Sequence, residues 1–183
     1  MNLELMAMRW LRWEKRCVIV LTERSPRKDY CGQPDVLGVT KDRYLYEIEV
    51  KRSLSDFRAD ADKPSRRNRD WDKWQPKFPK QFYYLVPNAL AHKVNGELPD
   101  WAGLMRGPAS GEVPVVQVVK PSPIWKPSIR LSPKECAYLV LKMSNQILSF
   151  AEAREGLLNR LHRDDGNETW MLKYHPDYQN FQI

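Results

Sequence analysis

Two carboxylates and one lysine stand at spacings that could form a catalytic site: Asp35 follows a proline, and Glu49 lies two positions before Lys51. Two carboxylates that are held close together repel each other unless a divalent cation lies between them. Mg²⁺ is usually bound by one or two carboxylates together with waters and phosphate oxygens. Such an ion can polarise a phosphodiester, and a neighbouring lysine can offset the charge that develops on the phosphate. These residue types therefore indicate metal-assisted hydrolysis of a phosphodiester.

A predicted β-hairpin would bring these three side chains together. Residues 35–39 (DVLGV) and 44–51 (YLYEIEVK) are strand candidates that are joined by a short polar link. Folding the chain about that link sets Asp35 opposite Glu49, and opposed residues have Cβ atoms about 5 Å apart on one face. Lys51 lies two residues beyond Glu49, so it shares that face.

Two other interpretations of the second strand stay open. Its apolar residues Tyr46, Ile48 and Val50 alternate with charged ones, so one face of the strand is apolar. A shift of the strand register would place Glu47 at the site instead of Glu49. The charged face could also be no more than the solvated side of an edge hairpin.

The order of these residues resembles a known nuclease signature. The dipeptide Pro34-Asp35 and the tripeptide 49–51 (EVK) resemble the PD…(D/E)XK motif of the restriction-endonuclease-like nucleases. The wider stretch around them is similar to the MmcB-like DNA-repair proteins and to related phage and bacterial nucleases. In those proteins a strand that ends in E-x-K runs into a helix that begins S-x-x-D-F. The resemblance covers roughly residues 1–90 and rests on motif order and element lengths, whereas residues 91–183 match no known signature.

The resemblance implies a role for each matched residue. Two side chains and one carbonyl would bind the metal: Asp35, Glu49 and the carbonyl of Val50. Lys51 would be the catalytic lysine, and Mg²⁺ or Mn²⁺ would be the cofactor. The family often adds one more acidic ligand, and three candidates for it stay open: Glu4, Glu14 and Glu23.

The activity implied by the resemblance is hydrolysis of DNA phosphodiesters by an endonuclease or exonuclease. It would serve DNA repair, recombination or phage DNA processing, and the DNA could be double-stranded or branched. One alternative is a non-catalytic nucleic-acid-binding protein that keeps the nuclease fold. Another is a structural or interaction protein that uses the aromatic C-terminal part of the chain.

Residues 63–80 form a basic segment that could hold the substrate, because they include seven basic residues and two acidic ones. Its cations would contact phosphates, and its indole rings would either stack on bases or pack against the sheet. The residues concerned are Arg66, Arg67, Arg69, Lys73, Trp71 and Trp74. Two further polar residues could support the site from outside, although helix capping and an ordinary strand end explain them equally well: Asp56 and Gln81.

The hydrophobic pattern predicts an α/β fold, in which a restriction-endonuclease-like mixed sheet is flanked by helices. One domain is expected over residues 1–183, with the core motifs in residues 1–90 and a C-terminal extension in residues 91–183. The predicted elements are helix 3–16, strand 17–21, the hairpin, a helix from Ser53 to about Pro64, strand 81–86, strand 113–119 and a long helix over 133–160.

Composition limits the classes to which the chain can belong. It has 42% apolar residues and a net charge of +7, which are typical of a globular protein with a polyanionic partner. Three cysteines at long spacings give neither a disulfide framework nor a zinc pattern. The absence of a long apolar run predicts a cytoplasmic protein with no membrane partner. The apolar face over residues 136–151 is either core or the interface of a homodimer.

Overall fold

The structure is a computed structural model that describes residues 2–22, 34–62, 79–125, 128 and 130–165. The chain divides into two compact units, Met1–Met143 and Ser144–Ile183. The first unit contains the sheet, and the described part of the second unit is the C-terminal portion of the last helix. No helix among the described residues is long and apolar enough to cross a membrane.

A mixed β-sheet is the centre of the first unit. The described residues form six strands that lie in chain order across the sheet. The bounds are β1 (Cys17–Thr22), β2 (Val36–Thr40), β3 (Leu45–Val50), β4 (Gln81–Val86), β5 (Gly103–Arg106) and β6 (Gln117–Lys120). The pairs β3/β4 and β4/β5 are parallel, and the other three pairs are antiparallel. The predicted α/β class with a mixed sheet flanked by helices is confirmed.

Four helices accompany the sheet in the described part of the chain: α1 (Leu3–Trp13), α2 (Leu54–Ala61), α3 (Asn88–Glu97) and α4 (Pro133–Asp165). The predicted helix starts are confirmed by their caps. Ser53 Oγ accepts a hydrogen bond from the Asp56 backbone N–H at 3.1 Å. Ser132 and Glu135 cap each other reciprocally, with side-chain to backbone distances of 2.6 and 3.3 Å, and this capping box satisfies two backbone donors at the start of α4.

The helices of the first unit cover both faces of the sheet. The buried face of α1 packs with Tyr46, Ile48 and Val50, and Phe57 of α2 packs with the opposite face of β4 and with α3. Gly38 of β2 is needed for the close approach of α1, because a methyl group there would lie 3.0 Å from Leu11 Cδ2 of that helix and 2.8 Å from Cys17 Sγ of β1. β3 is therefore an interior strand that is covered on both sides.

The structure also differs from the predicted elements. α3 and β5 were not predicted, since NALAHKVNGE contains asparagine and glycine and β5 is only four residues long. The last strand is shorter than predicted, covers Gln117–Lys120, and is exposed at the sheet edge. α1 ends before Arg16, which takes a left-handed φ of 52°. Several large apolar side chains of α4 are exposed, among them Ile147 and Phe150, and the homodimer stays a prediction.

Candidate active site

The hairpin of β2 and β3 has the predicted register. Val36 pairs with Ile48 and Leu37 pairs with Glu47, so one further step along the same register sets Asp35 opposite Glu49. Asp35 Oδ2 accepts a hydrogen bond from the Val50 backbone N–H at 2.7 Å. The carboxylate of Asp35 is therefore fixed at the C-terminal end of β3, beside Glu49.

The charged face of β3 is buried. The exposed fractions are 4% for Glu47, 3% for Glu49 and 6% for Lys51, because β3 lies between β2 and β4 and is covered by helices. A solvated edge hairpin does not describe this strand. Burial of charged groups is costly unless partners offset it, so the partners of these side chains are informative.

Lys51 lies between two carboxylates. Its Nζ is 3.1 Å from Glu49 Oε2 and 3.5 Å from Asp60 Oδ1. The other oxygen of Asp60 accepts a hydrogen bond from the hydroxyl of Tyr84 at 3.1 Å. The Lys51 backbone N–H donates to the carbonyl of Leu85 at 2.9 Å. Main chain and side chain together therefore hold the ammonium at the end of the parallel strands β3 and β4.

The environment keeps Lys51 protonated. Burial lowers its pKa, but the carboxylates of Glu49, Asp60 and Asp35 raise it by more, and the net effect is a pKa above the ordinary value of 10.5. An ammonium with a raised pKa carries its proton at neutral pH. Lys51 can therefore donate a hydrogen bond to a negatively charged substrate, but it is not suited to act as a general base.

Carboxylate oxygens are the ligands that a hard divalent cation prefers. Asp35, Glu49 and Asp60 surround the single ammonium of Lys51, which gives these four side chains an excess of negative charge. Among the described residues, no group of three or more histidines, cysteines, aspartates or glutamates could hold a metal ion. Mg²⁺ is often held by one or two carboxylates, with waters and phosphate oxygens completing its shell. Asp35 and Glu49 fit that kind of site.

Glu4 lies near the site but is already engaged. Its two carboxylate oxygens accept hydrogen bonds from Arg52 at 2.7 and 2.9 Å, and Arg52 follows Lys51 directly. Glu14 is exposed at the other end of α1, so it is remote from this cluster. Glu23 lies outside the described residues. Of the two candidates that the structure describes, Glu4 is the one that the fold brings towards the site.

The two predicted supporting residues do not join the cluster. Asp56 is exposed in the first turn of α2. Gln81 pairs with Tyr46 near the opposite end of β3 and donates to the Ser122 carbonyl at 2.9 Å. Alternation along β4 also turns Gln81 to the sheet face of Tyr83, away from Tyr84 and Lys51.

Asp60 takes the supporting role, and the sequence analysis missed it. It is only 2% exposed, although its helix is short and polar. Phe57 is the one large residue that α2 buries completely, and Asp60 follows it by three positions, on the same helical face. A carboxylate on the buried face of a helix was the signal available in the sequence.

The predicted nucleic-acid contacts lie outside the described residues. All six belong to the stretch between Asp62 and Pro79: Arg66, Arg67, Arg69, Trp71, Lys73 and Trp74. Their roles stay predictions. Lys80, the last residue of the basic segment, is described and lies at the start of β4.

Comparisons with known proteins give a fold and no function. No protein-family model matches the chain, and no curated protein matches it. A solved structure of a protein of unknown function from Silicibacter pomeroyi is similar, with a TM-score of 0.50 and 20% sequence identity. The match covers 82% of this chain and 86% of that one. At this identity the similarity concerns the fold alone.

Proposed function

We propose that this protein is a metal-dependent nuclease of the PD-(D/E)XK type that hydrolyses DNA phosphodiester bonds. The observation that carries the proposal is the buried pair of Glu49 and Lys51 at the end of an interior strand, with Asp35 fixed beside it. A buried cluster of this kind costs folding free energy unless its charges are fully offset, so its presence is compatible with a functional role. Strongly coupled charged groups at strand ends are candidates for catalysis.

Each residue has a part in the proposed reaction. Asp35 and Glu49 would hold Mg²⁺ or Mn²⁺, and the carbonyl of Val50 is the proposed further ligand. The bound ion would polarise the phosphodiester and supply an activated water. Lys51 would donate to a phosphate oxygen and stabilise the charge that grows there. Asp60 and the Tyr84 hydroxyl would keep the ammonium in position.

A cleavage assay tests the proposal. Purified protein is incubated with supercoiled plasmid and with labelled single-stranded, duplex and branched oligonucleotides, in Mg²⁺, in Mn²⁺ and in EDTA. We expect cleavage that needs the metal and that is lost in Glu49→Gln and Lys51→Met. Arg58→Gln is the matched control, because Arg58 forms an ion pair with Glu97 on the exposed surface of the same fold. Cleavage at the wild-type rate in folded Glu49→Gln would refute the assignment.

A second candidate is a non-catalytic nucleic-acid-binding protein, and one observation favours it. Lys51 is already paired with both Glu49 and Asp60, which is also how a purely structural ion cluster would look. Metal binding separates the two candidates. Calorimetric titration with Mn²⁺ should show a site that Asp35→Asn weakens if the protein is a nuclease. DNA binding that is indifferent to both the metal and Asp35 would favour the non-catalytic protein.

A further inference from the structure

Three cations lie together at the end of β3 that is remote from the candidate active site. Lys15 Nζ is 4.9 Å from the centroid of the Trp10 ring and 5.7 Å from that of Tyr46. Lys80 Nζ and Arg130 Cζ lie 4.4 and 4.9 Å from the centroid of one ring, that of Tyr44. All these separations are within the range of a cation–π contact. We call Lys15, Lys80 and Arg130, with these three rings, the cation strip.

The backbone fixes each cation in its place. Tyr44 and Arg130 form an antiparallel β-bridge. The Lys80 backbone N–H donates to the carbonyl of Leu45 at 2.7 Å, and the Lys15 backbone N–H donates to the carbonyl of Trp10 at 3.3 Å. The strip is thus assembled from the end of α1, the start of β4 and the segment before α4, which meet around the first residues of β3.

The charges of the strip are all of one sign. Within the described ranges, no carboxylate forms an ion pair with Lys15, Lys80 or Arg130. Burial lowers the pKa of Lys15 and the nearby ammonium of Lys80 lowers it too, whereas Cys17 and the carboxylate of Glu14 raise it, and the net effect is a lowered pKa. Two cations that share the Tyr44 ring also repel each other. Repulsion of this kind is relieved when an anion binds between the charges, so the fold holds a surface that favours a polyanion.

We infer that the cation strip is a second nucleic-acid contact, in which Lys15, Lys80 and Arg130 bind backbone phosphates. This inference deepens the proposed function, and it rests on that function only for the identity of the polymer as DNA. The strip is distinct from the catalytic cluster, since Tyr44 and Tyr46 lie at the other end of β3 and alternate with Glu49. Nucleic acid is favoured over a lipid surface, because each cation stands over an aromatic ring, and basic side chains combined with aromatic rings are what proteins use to hold a nucleic-acid strand.

The test is DNA binding by the full chain in EDTA, where no metal-dependent cleavage takes place. The double variant Lys80→Gln/Arg130→Gln is compared with the control Lys93→Gln/Lys142→Gln, which removes the same charge. Lys142 Nζ lies 5.0 Å from the centroid of the Tyr138 ring, so the control also removes a cation–π contact. Affinity for a labelled duplex and for its single strand is measured by fluorescence anisotropy over a series of salt concentrations.

We expect wild type and control to bind DNA equally, and the strip variant to bind more weakly. Each lost phosphate contact should flatten the log–log salt slope by about 0.7–0.9. Two contacts correspond to a loss of affinity of about 25- to 60-fold near 0.1 M salt. A folded strip variant with unchanged affinity and slope would overturn the inference, while cleavage measured separately in Mg²⁺ would still decide the proposed function. Binding of wild type to vesicles with anionic lipid, but not to DNA, would overturn it as well.

Discussion

Replacing Lys51 by methionine tests whether the ammonium holds the site together. Its Nζ lies 3.1 Å from Glu49 Oε2 and 3.5 Å from Asp60 Oδ1. Methionine has a similar length and no charge, so two buried carboxylates would lose the cation between them. Removing one partner of a buried ion pair costs about 3–5 kcal/mol. We expect the free energy of unfolding to fall by about this amount.

The loss of stability in Lys51→Met should be measurable by thermal unfolding, followed by circular dichroism. In a protein of this size, about 1 kcal/mol corresponds to a change of 2–4 °C in the melting temperature, so the variant should melt roughly 6–20 °C lower. Arg58→Met is the control. Arg58 pairs with Glu97 on the exposed surface, where solvent screens the attraction. The melting temperature of the Arg58→Met variant should therefore stay close to that of wild type.

A second substitution distinguishes an unpaired charge from a simple loss of packing. In the Lys51→Met background, Asp60→Asn removes one of the two carboxylates and should recover part of the lost stability. In wild type, the same change should destabilise the protein, because Asp60 pairs with Lys51 and accepts from Tyr84. A Lys51→Met variant within about 1 kcal/mol of wild type, or losses that simply add in the double variant, would refute the reasoning.

Three further predictions concern the same cluster. The pKa of Lys51 is raised above 10.5 in the folded protein, so its stabilisation is complete below the unfolded pKa and is lost as the pH rises through the folded pKa. The stability difference between wild type and Lys51→Met should therefore shrink in alkaline urea titrations. Tyr84→Phe keeps the ring but removes the hydrogen bond to Asp60, which should cost about 1–3 kcal/mol and lower kcat more than it changes KM. Arg52→Gln releases Glu4, and calorimetry should show tighter Mn²⁺ binding; unchanged affinity would exclude Glu4 as a ligand.

Local patterns in the sequence predicted the hairpin and its register. The alternation along YLYEIEV and the short polar link determine which residues are opposed, because a slip by one position would turn every side chain of the strand to the other face. Asp35 beside Glu49 followed from that register alone, and so did the shared face of Lys51. The caps at Ser53 and Ser132 were also predictable, because a cap involves only neighbouring positions in the chain.

Tertiary packing decided what surrounds those residues. Whether the charged face of β3 is solvated or buried depends on β4, which pairs beside it, and on α2, which contributes Asp60 to it. Both come from later in the sequence, and period-two alternation is the same in both cases. Asp60 reaches Lys51 only because α2 folds back over the end of β3. Lys15, Lys80 and Arg130 meet around two tyrosines from segments more than a hundred positions apart. Contacts between distant segments cannot be predicted from local sequence patterns, because the pattern of each segment is the same whether or not the distant segment contacts it.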